Sequence, residues 1–462
     1  MEGFLVILII KISSSIRIEY GKLWIRENHK ENTKMDKTYL NKFYKMNHIE
    51  RLNALVASGS LTSDDLLLTK GLLLTDELSD NMIENHLVNY ELPLGVALNF
   101  LIDEKDYIIP MAIEEPSVIA AASAGAKIIA QAGGFKTIIS ERIMIGQVAL
   151  KDVPDIPFAK SNLIQHKNDI LKKANDAHPS IVKRGGGATD MFIRVIEADA
   201  DASTPEFLMV HLHVSTLEAM GANIINTMME GITAYLEELT KGSALMSILS
   251  NYATECLASA TCRIPVDLLK KKDYSGEEVR DRLIEAGQLA YVDPYRAVTH
   301  NKGIMNGIDA VVLASGNDWR AISAGAHAYA SRSGQYRALS TWKKAENGDL
   351  IGQLTVPLPV GSVGGSISIH PAAQFSKRLL GYPSAKELES IIVSVGLAQN
   401  FSALKALVTE GIQKGHMGLQ ARSLAISAGA MGVDIEKVAK LLKSAENMNL
   451  STAKALLKEI KT

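Results

Sequence analysis

The feature that most restricts the fold of this chain is an alanine-rich segment with almost no charge. It runs from Ser117 to Gln131, directly after Pro116, and Lys127 is its one charged residue. An α-helix without a polar stripe has no side suited to water, so this helix should be buried on nearly all sides. The sequence therefore predicts a central core helix with other elements packed round it.

The charge balance argues against polyanionic partners. The chain has 462 residues, and its 49 lysines and arginines against 51 aspartates and glutamates give a net charge of −2. A near-neutral chain offers no electrostatic footprint for nucleic acid or for an anionic membrane surface. At this length it can form two or three domains. We expect neither nucleic acid nor a membrane among its partners.

Residues 1–34 differ from the rest of the chain. Phe4 to Ile10 is apolar, but this run is far shorter than the about 20 residues that a membrane-spanning helix needs. It also lacks the basic leader and the small-residue cleavage site of a secretory signal. Met35 opens the first segment with a regular pattern. We predict a poorly structured extension at 1–34 and no transmembrane segment.

The chain has two cysteines, Cys256 and Cys262. Two thiols cannot form a disulfide framework and suit a reducing compartment, which indicates a cytoplasmic protein. Their spacing is wide for a metal pair, and no cysteine or histidine cluster lies near them in sequence. We therefore predict buried free thiols and no metal site.

Apolar periodicity divides the rest of the chain into helices and strands. Helical spacing covers 48–70, 73–89, 160–176, 219–240 and most of 401–457, and short apolar runs predict strands at 93–97, 107–113, 190–197, 207–214, 309–314 and 354–359. The order of elements over 136–240 is that of a small α+β domain inserted into a larger one. The predicted fold class is α+β.

A lysine among small and amide residues marks the first candidate site. Lys302 lies in Thr299-His300-Asn301-Lys302-Gly303, which we interpret as a loop, with Arg296 and Asn306 close by in sequence. In a loop an ammonium can be aimed at a ligand oxygen. Taken alone, the residue fits a solvated surface lysine at least as well, so its interpretation depends on other segments.

Three further polar residues stand where predicted elements meet. Glu115 lies at the start of the alanine-rich helix. Burial there favours a protonated carboxyl, whereas the helix dipole favours an ionised one. The residue can therefore act as a proton donor or simply cap the helix. Asp318 follows a predicted strand, where an aspartate commonly pairs with a cation or a backbone amide, although it can also form a structural salt bridge with Arg320. His416 stands in Lys414-Gly415-His416-Met417-Gly418, a predicted break between helices that suits proton transfer on a hinged segment.

The glycine-rich segments carry no standard nucleotide fingerprint. No G-x-G-x-x-G motif joins a strand to a helix, and a P-loop is absent from the sequence. The best-placed turn is Glu218-Ala219-Met220-Gly221-Ala222-Asn223, which follows a predicted strand and opens a long helix. Its backbone N–H groups can face a pyrophosphate, although a tight turn also needs glycine for steric reasons alone.

Together these signals resemble one family. From Asn41 to its C-terminus, the chain is similar to the soluble class II 3-hydroxy-3-methylglutaryl-CoA (HMG-CoA) reductases of bacteria and archaea. The resemblance rests on motifs in shared order: Glu84-Asn85, Pro93-Leu94-Gly95-Val96-Ala97, Glu114-Glu115-Pro116-Ser117, Glu218-Ala219-Met220-Gly221-Ala222-Asn223, His300-Asn301-Lys302-Gly303, Gly316-Asn317-Asp318 and Gly415-His416-Met417.

The resemblance implies an oxidoreductase of the mevalonate (isoprenoid) pathway that reduces HMG-CoA to mevalonate and CoA with two nicotinamide cofactors. The implied catalytic residues are Lys302 as oxyanion stabiliser, Glu115 as acid for the aldehyde oxygen, Asp318 as their link and His416 as proton donor to the CoA thiolate. The implied substrate-binding residues are Ser117, Arg296, Asn306 and Gln399, and the implied cofactor-binding residues are Glu218, Met220, Gly221, Asn223 and Asn251.

The resemblance also implies an architecture. A large, mainly helical substrate-binding domain at 35–141 and 254–405 surrounds a central buried helix. A small ferredoxin-like, non-Rossmann NAD(P)-binding domain is inserted at 142–253, and a C-terminal helical flap occupies 406–462. The implied assembly is a homodimer, or a higher oligomer, with the active site at the subunit interface.

Cofactor choice and reaction direction depend on local charge. Lys183 and Arg184 precede a triple glycine, and basic residues near a ribose favour the 2′-phosphate of NADPH. We therefore predict NADPH, with NADH as the alternative and NADH-linked mevalonate degradation as the alternative direction. A non-redox CoA-thioester acyltransferase would need a nucleophile, for which the sequence offers Cys256 or Cys262.

Overall fold

The computed structural model describes residues 35–69 and 74–461 of the chain. The predicted extension at 1–34 lies outside these residues. The chain divides into two compact units, Met1–Leu66 and Leu67–Thr462. All the predicted site residues belong to the second unit.

The first unit contains a helix whose start is fixed by side chains. Helix α1 (His48–Ala57) begins with a capping box, in which Asn47 and Glu50 each accept the other's backbone N–H. Gly59, with φ of +79°, turns the chain out of the helix. The prediction of one helix over 48–70 is therefore wrong, because the glycine interrupts it.

Two shorter helices follow, α2 (Ser63–Leu68) and α3 (Asp76–Asp80). The predicted helix over 73–89 is wrong beyond α3. Residues 81–93 reach the first sheet without forming a helix or strand, and several of their apolar side chains are exposed.

Strands of the second unit form two sheets. Their bounds are Leu94–Ile102 (β1), Lys105–Ala112 (β2), Phe135–Ile139 (β3), Ile143–Lys151 (β4), Gly187–Ile196 (β5), Phe207–Ser215 (β6), Ser243–Ser250 (β7), Leu257–Ile264 (β8), Ser340–Lys344 (β9) and Leu350–Pro357 (β10). The six-stranded sheet has the order β2-β1-β3-β8-β10-β9, and the four-stranded sheet has the order β5-β6-β4-β7. Neighbouring strands are antiparallel except for β1 beside β3.

Helices cover these sheets, except the last three, which pack on one another in a hydrophobic cluster of their own. They are α4 (Val118–Gln131), α5 (Ile156–Gln165), α6 (Lys167–Ala177), α7 (Pro179–Val182), α8 (Ala222–Thr240), α9 (Gly276–Val292), α10 (Pro294–Ala314), α11 (Trp319–Ala330), α12 (Ser366–Ile369), α13 (Pro371–Leu379), α14 (Ala385–Val408), α15 (Ile412–Ser427), α16 (Val433–Leu442) and α17 (Leu450–Lys461). The four-stranded sheet, α5, α6 and α8 share one hydrophobic cluster, and the larger sheet with α4, α10 and α14 shares another. The α+β fold class is confirmed.

The alanine-rich helix is not the one buried on all sides. In α4 a face with Ala120, Ala124 and Lys127 is exposed. Its small residues instead allow close packing, because a Cβ on Gly125 would lie 2.5 Å from the backbone oxygen of Ala398 in α14. The central buried helix is α14, which packs against α4, α10 and strand β8.

Helix α14 is also apolar enough, over 24 residues, to meet the length and hydropathy of a membrane span. It is the one such helix in the part of the chain that the structure describes. Its most apolar window is 67% buried inside the fold, as in the core helix of a globular domain.

The predicted strand at 309–314 is the end of a helix. Helix α10 starts where Asp293 accepts the backbone N–H groups of Tyr295 and Arg296, with Pro294 in the first position. Its last turns are buried on several sides in the larger core, so their apolar residues follow one another without a polar gap. A short apolar run of this kind fits a buried helix as well as a strand.

Candidate functional site

The lysine that the sequence marks lies on a helix and not in a loop. Lys302 occupies the third turn of α10, on a stripe with Asn306 that is less buried than the neighbouring His300 and Ile304. Its side chain is 60% exposed. Its Nζ donates to Oε2 of Glu115 at 2.8 Å. The structure thus brings together two of the four predicted catalytic residues.

Glu115 occupies the short connection between β2 and α4. This connection also contains Ser117, whose φ of +76° reverses the chain direction just before the helix begins. Oε2 of Glu115 accepts a second, longer hydrogen bond from Nδ2 of Asn306 at 3.4 Å. Asn306 lies one turn beyond Lys302 on α10, so the helix presents both donors to one carboxylate.

A buried polar network holds the helix beneath Lys302. Nε2 of His300 lies 2.7 Å from Oγ of Ser340 and 3.1 Å from Nδ2 of Asn400. The indole N–H of Trp342 donates to Oδ1 of Asn400 at 2.8 Å, which fixes the orientation of that amide. Burial, with a smaller effect of the Arg296 charge, lowers the pKa of His300 to about 3, so this histidine is neutral. We infer that His300 supports the site and does not titrate in it.

Two predicted substrate-binding residues, Arg296 and Gln399, have polar side-chain atoms without a hydrogen-bond partner among the described residues. Burial lowers the pKa of the half-buried Arg296 guanidinium. No hydrogen bond or ion pair of that guanidinium is formed within residues 35–69 and 74–461. Oε1 of the buried Gln399 also lacks a hydrogen-bond partner among the residues that the structure describes. Buried polar groups are normally paired, so both side chains are suited to a ligand.

Asp318 forms its own local contacts. Its carboxylate accepts the backbone N–H groups of Arg320 and Ala321 as the N-cap of α11, and it pairs with Nη2 of Arg320 at 3.2 Å. Among the described residues, its side-chain contacts do not include Lys302 or Glu115. A single chain therefore forms the alternative structural pairing that the sequence allowed, and not the predicted link to Lys302.

His416 does not lie in a break between helices. The segment 414–418 belongs to the continuous helix α15, so that prediction is wrong. Two flanking glycines were not enough to end a helix within a longer helical pattern, because each weakens a helix by only about 1 kcal/mol. The side chain of His416 lies outside the described residues.

The turn proposed for a cofactor connects β6 to α8. Gly221, with φ of +93°, immediately precedes the helix, and a Cβ there would lie 2.3 Å from Cγ2 of Thr216. No side chain caps the start of this 19-residue helix within the described chain. Its first backbone N–H groups are therefore open to an anionic ligand. Asn223 is exposed beside them, and Met220 is half-buried.

Glu218 and Asn251 were predicted to bind the same ligand. Asn251 is exposed just after β7. The carboxylate of Glu218 already has partners, since its Oε2 accepts from Oγ of Ser362 at 2.5 Å and from the backbone N–H of Ala385 at 2.8 Å. Its contacts thus join the turn to the start of α14. The sequence analysis did not predict these contacts of Glu218. The one available signal was Ser362, a polar residue within a glycine-rich segment.

Both cysteines are free and buried, as predicted. Burial raises the pKa of Cys256 to about 11 and that of Cys262 to about 12. A thiol that stays protonated at neutral pH is a poor nucleophile. Neither residue therefore supports acyl transfer.

Asp309 was not singled out from the sequence, yet it continues the stripe of Lys302 and Asn306. Its Oδ1 is buried without a hydrogen-bond partner within the described residues, and burial raises its pKa to about 7. Between about pH 4 and pH 7 the unfolded chain loses this proton before the folded chain does, so stability falls as the pH rises and levels off above pH 7.

We expect Asp309→Asn to remove this loss of stability. The variant should match the parent protein near pH 4 and be more stable by about 2–4 kcal/mol at pH 8. Urea unfolding at the two pH values measures the difference. An equal difference at both values would contradict a buried carboxyl that titrates near neutrality.

Comparison with known proteins gives a consistent result. A family model described as hydroxymethylglutaryl-coenzyme A reductase matches residues 47–421. The HMG-CoA reductase of Archaeoglobus fulgidus is 43% identical over 91% of this chain and 94% of its own length. The probable HMG-CoA reductase of Borreliella burgdorferi is 33% identical over 80% of this chain and 84% of its own length.

Solved structures are similar in both fold and sequence. An HMG-CoA reductase from Streptococcus pneumoniae has a TM-score of 0.78 and 48% identity, and the match covers 91% of this chain and 99% of that one. The class II enzyme of the same organism, bound to NADPH in open conformations, has a TM-score of 0.77 and 46% identity, with 90% and 100% covered. The chain therefore belongs to the hydroxymethylglutaryl-coenzyme A reductase family.

Proposed function

We propose that this chain reduces HMG-CoA to mevalonate and CoA at a site built around Lys302 and Glu115. In balanced form, HMG-CoA, two NAD(P)H and two protons give mevalonate, CoA and two NAD(P)⁺. The observation that carries the placement is the 2.8 Å contact between Nζ of Lys302 and Oε2 of Glu115. Both side chains of the pair are partly open to solvent, because Lys302 is 60% and Glu115 37% exposed.

Each half-reaction turns a carbonyl oxygen into one with developing negative charge. NAD(P)H supplies the hydride in both. The hydrogen bonds of His300 hold helix α10 in place. From this helix Lys302 would place its ammonium against that oxygen. Glu115, within contact of the same ammonium, would take up one of the two protons that the reaction consumes and give it to the aldehyde oxygen in the second half-reaction.

Thiolate release lies between the two reductions. When the thiohemiacetal breaks down to mevaldehyde, CoA leaves as a thiolate that can add back to the aldehyde. We assign His416 to protonate this thiolate, because the motif Gly415-His416-Met417 matches the family pattern. Arg296 and Gln399, with unpaired polar atoms in the described chain, would hold the hydroxymethylglutaryl group, together with Ser117 and Asn306.

The turn before α8 suits the cofactor. The helix start carries no side-chain cap within the described residues, so its N–H groups can bind a phosphate. Met220, Gly221 and Asn223 would line that ligand, with Asn251 as a further candidate. Glu218 would act differently from our prediction, by fixing the turn through Ser362 and Ala385.

A homodimer would complete the site. In one chain Asp318 pairs with Arg320 and forms no contact with Lys302 or Glu115 among the described residues. We propose that a second copy brings the Asp318 position to Lys302. Residues 81–93, which lead into β1 and so toward Glu115, support an interface, because Leu87 is 94% and Tyr90 90% exposed. Large apolar side chains this exposed are typical of surfaces that another chain covers.

An absorbance assay tests this function. With HMG-CoA as substrate, we expect two NADPH to be oxidised for each CoA released. An acyltransferase would release CoA without oxidising any cofactor. A protein that leaves both substrates unchanged would contradict the proposal. We propose that the protein acts in the cytoplasm, where its free thiols stay reduced.

Cofactor preference is a separate prediction. Lys183 and Arg184 are exposed just before β5, where they can pair with a 2′-phosphate. We expect kcat/KM to favour NADPH over NADH by about tenfold, the effect of one charge-assisted contact of about 1.4 kcal/mol. Assays with each cofactor at saturating HMG-CoA measure the ratio. A tenfold preference for NADH would contradict it and would favour the mevalonate-degrading direction.

A further inference from the structure

A buried arginine lies where the chain passes from the larger sheet to the smaller one. Arg142 stands between β3 and β4, and its side chain is only 5% exposed. It forms an ion pair with Glu389 of α14, whose side chain is 1% exposed. A buried charge is costly unless its hydrogen bonds are satisfied, so the contacts of Arg142 indicate what it holds.

The guanidinium donates to three backbone carbonyl groups. Nε donates to the oxygen of Leu217 at 2.6 Å, and Nη2 donates to the oxygens of Ala219 and Val360 at 2.9 and 2.6 Å. Leu217 and Ala219 flank Glu218 in the turn before α8. Val360 precedes the glycine-rich segment that packs on the same turn. One side chain therefore fixes both segments.

The turn itself has an unusual backbone. Leu217 has a φ of +53°, a left-handed conformation that is uncommon for a bulky residue. Such a conformation persists only where the surroundings determine it. The bond from Arg142 to the carbonyl of Leu217 is one such constraint. Gly361 supplies another, because a Cβ there would lie 3.0 Å from the backbone nitrogen of Met220.

The two side chains that hold the turn, those of Arg142 and Glu218, both contact helix α14. Arg142 pairs with Glu389 of α14, and Glu218 accepts the backbone N–H of Ala385 at the start of α14. The turn is thus held from the central helix on two sides. Oε2 of Glu389 has no hydrogen-bond partner within the described chain, and Oε1 accepts from Arg142 and, at 3.8 Å, from Sγ of Cys256, so Arg142 is the one cation that balances this carboxylate among the described residues.

We propose that Arg142 and Glu389 are a positioning pair that sets the geometry of the turn for the nicotinamide cofactor. This rests on the placement of the cofactor proposed above. Both side chains are buried, so the pair would act through the turn and not on the ligand itself. The planar guanidinium matters, because only a fork of several N–H donors can hold three carbonyls and a carboxylate together. Backbone N–H groups moved by a fraction of an ångström would bind a phosphate less well.

The test compares Arg142→Lys with a matched control. Lysine keeps the charge opposite Glu389 but cannot reach all three carbonyls. We expect KM for NADPH to rise about tenfold, while kcat and KM for HMG-CoA stay within about twofold. Arg280→Lys is the control, since Arg280 is equally buried and pairs with Asp281 and the oxygen of Gly348. It should leave both KM values unchanged.

Three results would overturn the positioning role. They are an unchanged KM for NADPH in Arg142→Lys, equal rises in both KM values, and the same shift in Arg280→Lys. If Arg142→Lys does not fold, Glu389→Gln replaces it, with a smaller rise confined to KM for NADPH expected. An unchanged KM there would equally overturn the proposal.

Asn223→Ala separates this inference from the cofactor placement. If Asn223→Ala leaves KM for NADPH unchanged, the cofactor does not bind at the turn and both ideas fail. If Asn223→Ala raises that KM and Arg142→Lys does not, the placement stands and the positioning pair alone is rejected.

Discussion

Replacing Lys302 by alanine is expected to lower kcat for HMG-CoA reduction by about 10³-fold, the upper range for loss of one oxyanion-stabilising group. The ammonium would place a full positive charge beside an oxygen that becomes negative in both half-reactions. KM should change much less, because that charge develops only in the transition state. Stopped-flow and steady-state measurement of NADPH absorbance would give both values.

The loss must be separated from a loss of folding. An exposed ion pair such as Lys302–Glu115 contributes only about 0–1 kcal/mol to stability, so the alanine variant should unfold at nearly the same urea concentration. Lys136→Ala is a matched control, because Nζ of Lys136 lies 2.9 Å from the carboxylate of Glu104 and its side chain is 59% exposed, against 60% for Lys302. It should keep full activity. Near-normal kcat in Lys302→Ala would reject the assigned role.

The sequence did not predict the backbone of the lysine segment. The run Thr299–Gly303 is rich in residues that often form loops, yet it lies inside α10. Its His300 and Asn301 are polar because they bond to Ser340, Asn400 and the backbone near Leu339, far along the chain. A local pattern cannot distinguish a polar residue that faces water from one that meets a distant partner inside the protein.

Helix burial shows the same limit. The alanine-rich α4 was predicted to be the central helix, because few of its residues are charged. The structure assigns that position to α14, which contains Glu389 and Gln399 among its buried residues. Glu389 can be charged and still buried, because Arg142, from another part of the chain, pairs with it. Single-sequence patterns carry no signal for such a partner, and the turn geometry that depends on it was equally hidden.

Glu115→Gln should separate the two half-reactions. Glutamine keeps the size of the side chain and an oxygen for Lys302, but it has no carboxyl proton to donate. We expect reduction of free mevaldehyde to slow by about 10²–10⁴-fold, the usual contribution of a general acid. Lys302→Ala should impair both half-reactions, whereas Glu115→Gln should impair the second one most, because only there does the carboxyl deliver its proton to the product oxygen.

Glu114→Gln provides the control for this variant. Glu114 is the neighbouring carboxylate, is exposed, and belongs to none of the contacts assigned to the site. The two variants change charge equally and differ by one position. NADPH oxidation with mevaldehyde as substrate gives the comparison directly. If Glu115→Gln reduces mevaldehyde as fast as Glu114→Gln does, the proton comes from another group. Lys302 would then become the candidate acid, because its Nζ lies 2.8 Å from Oε2 of Glu115.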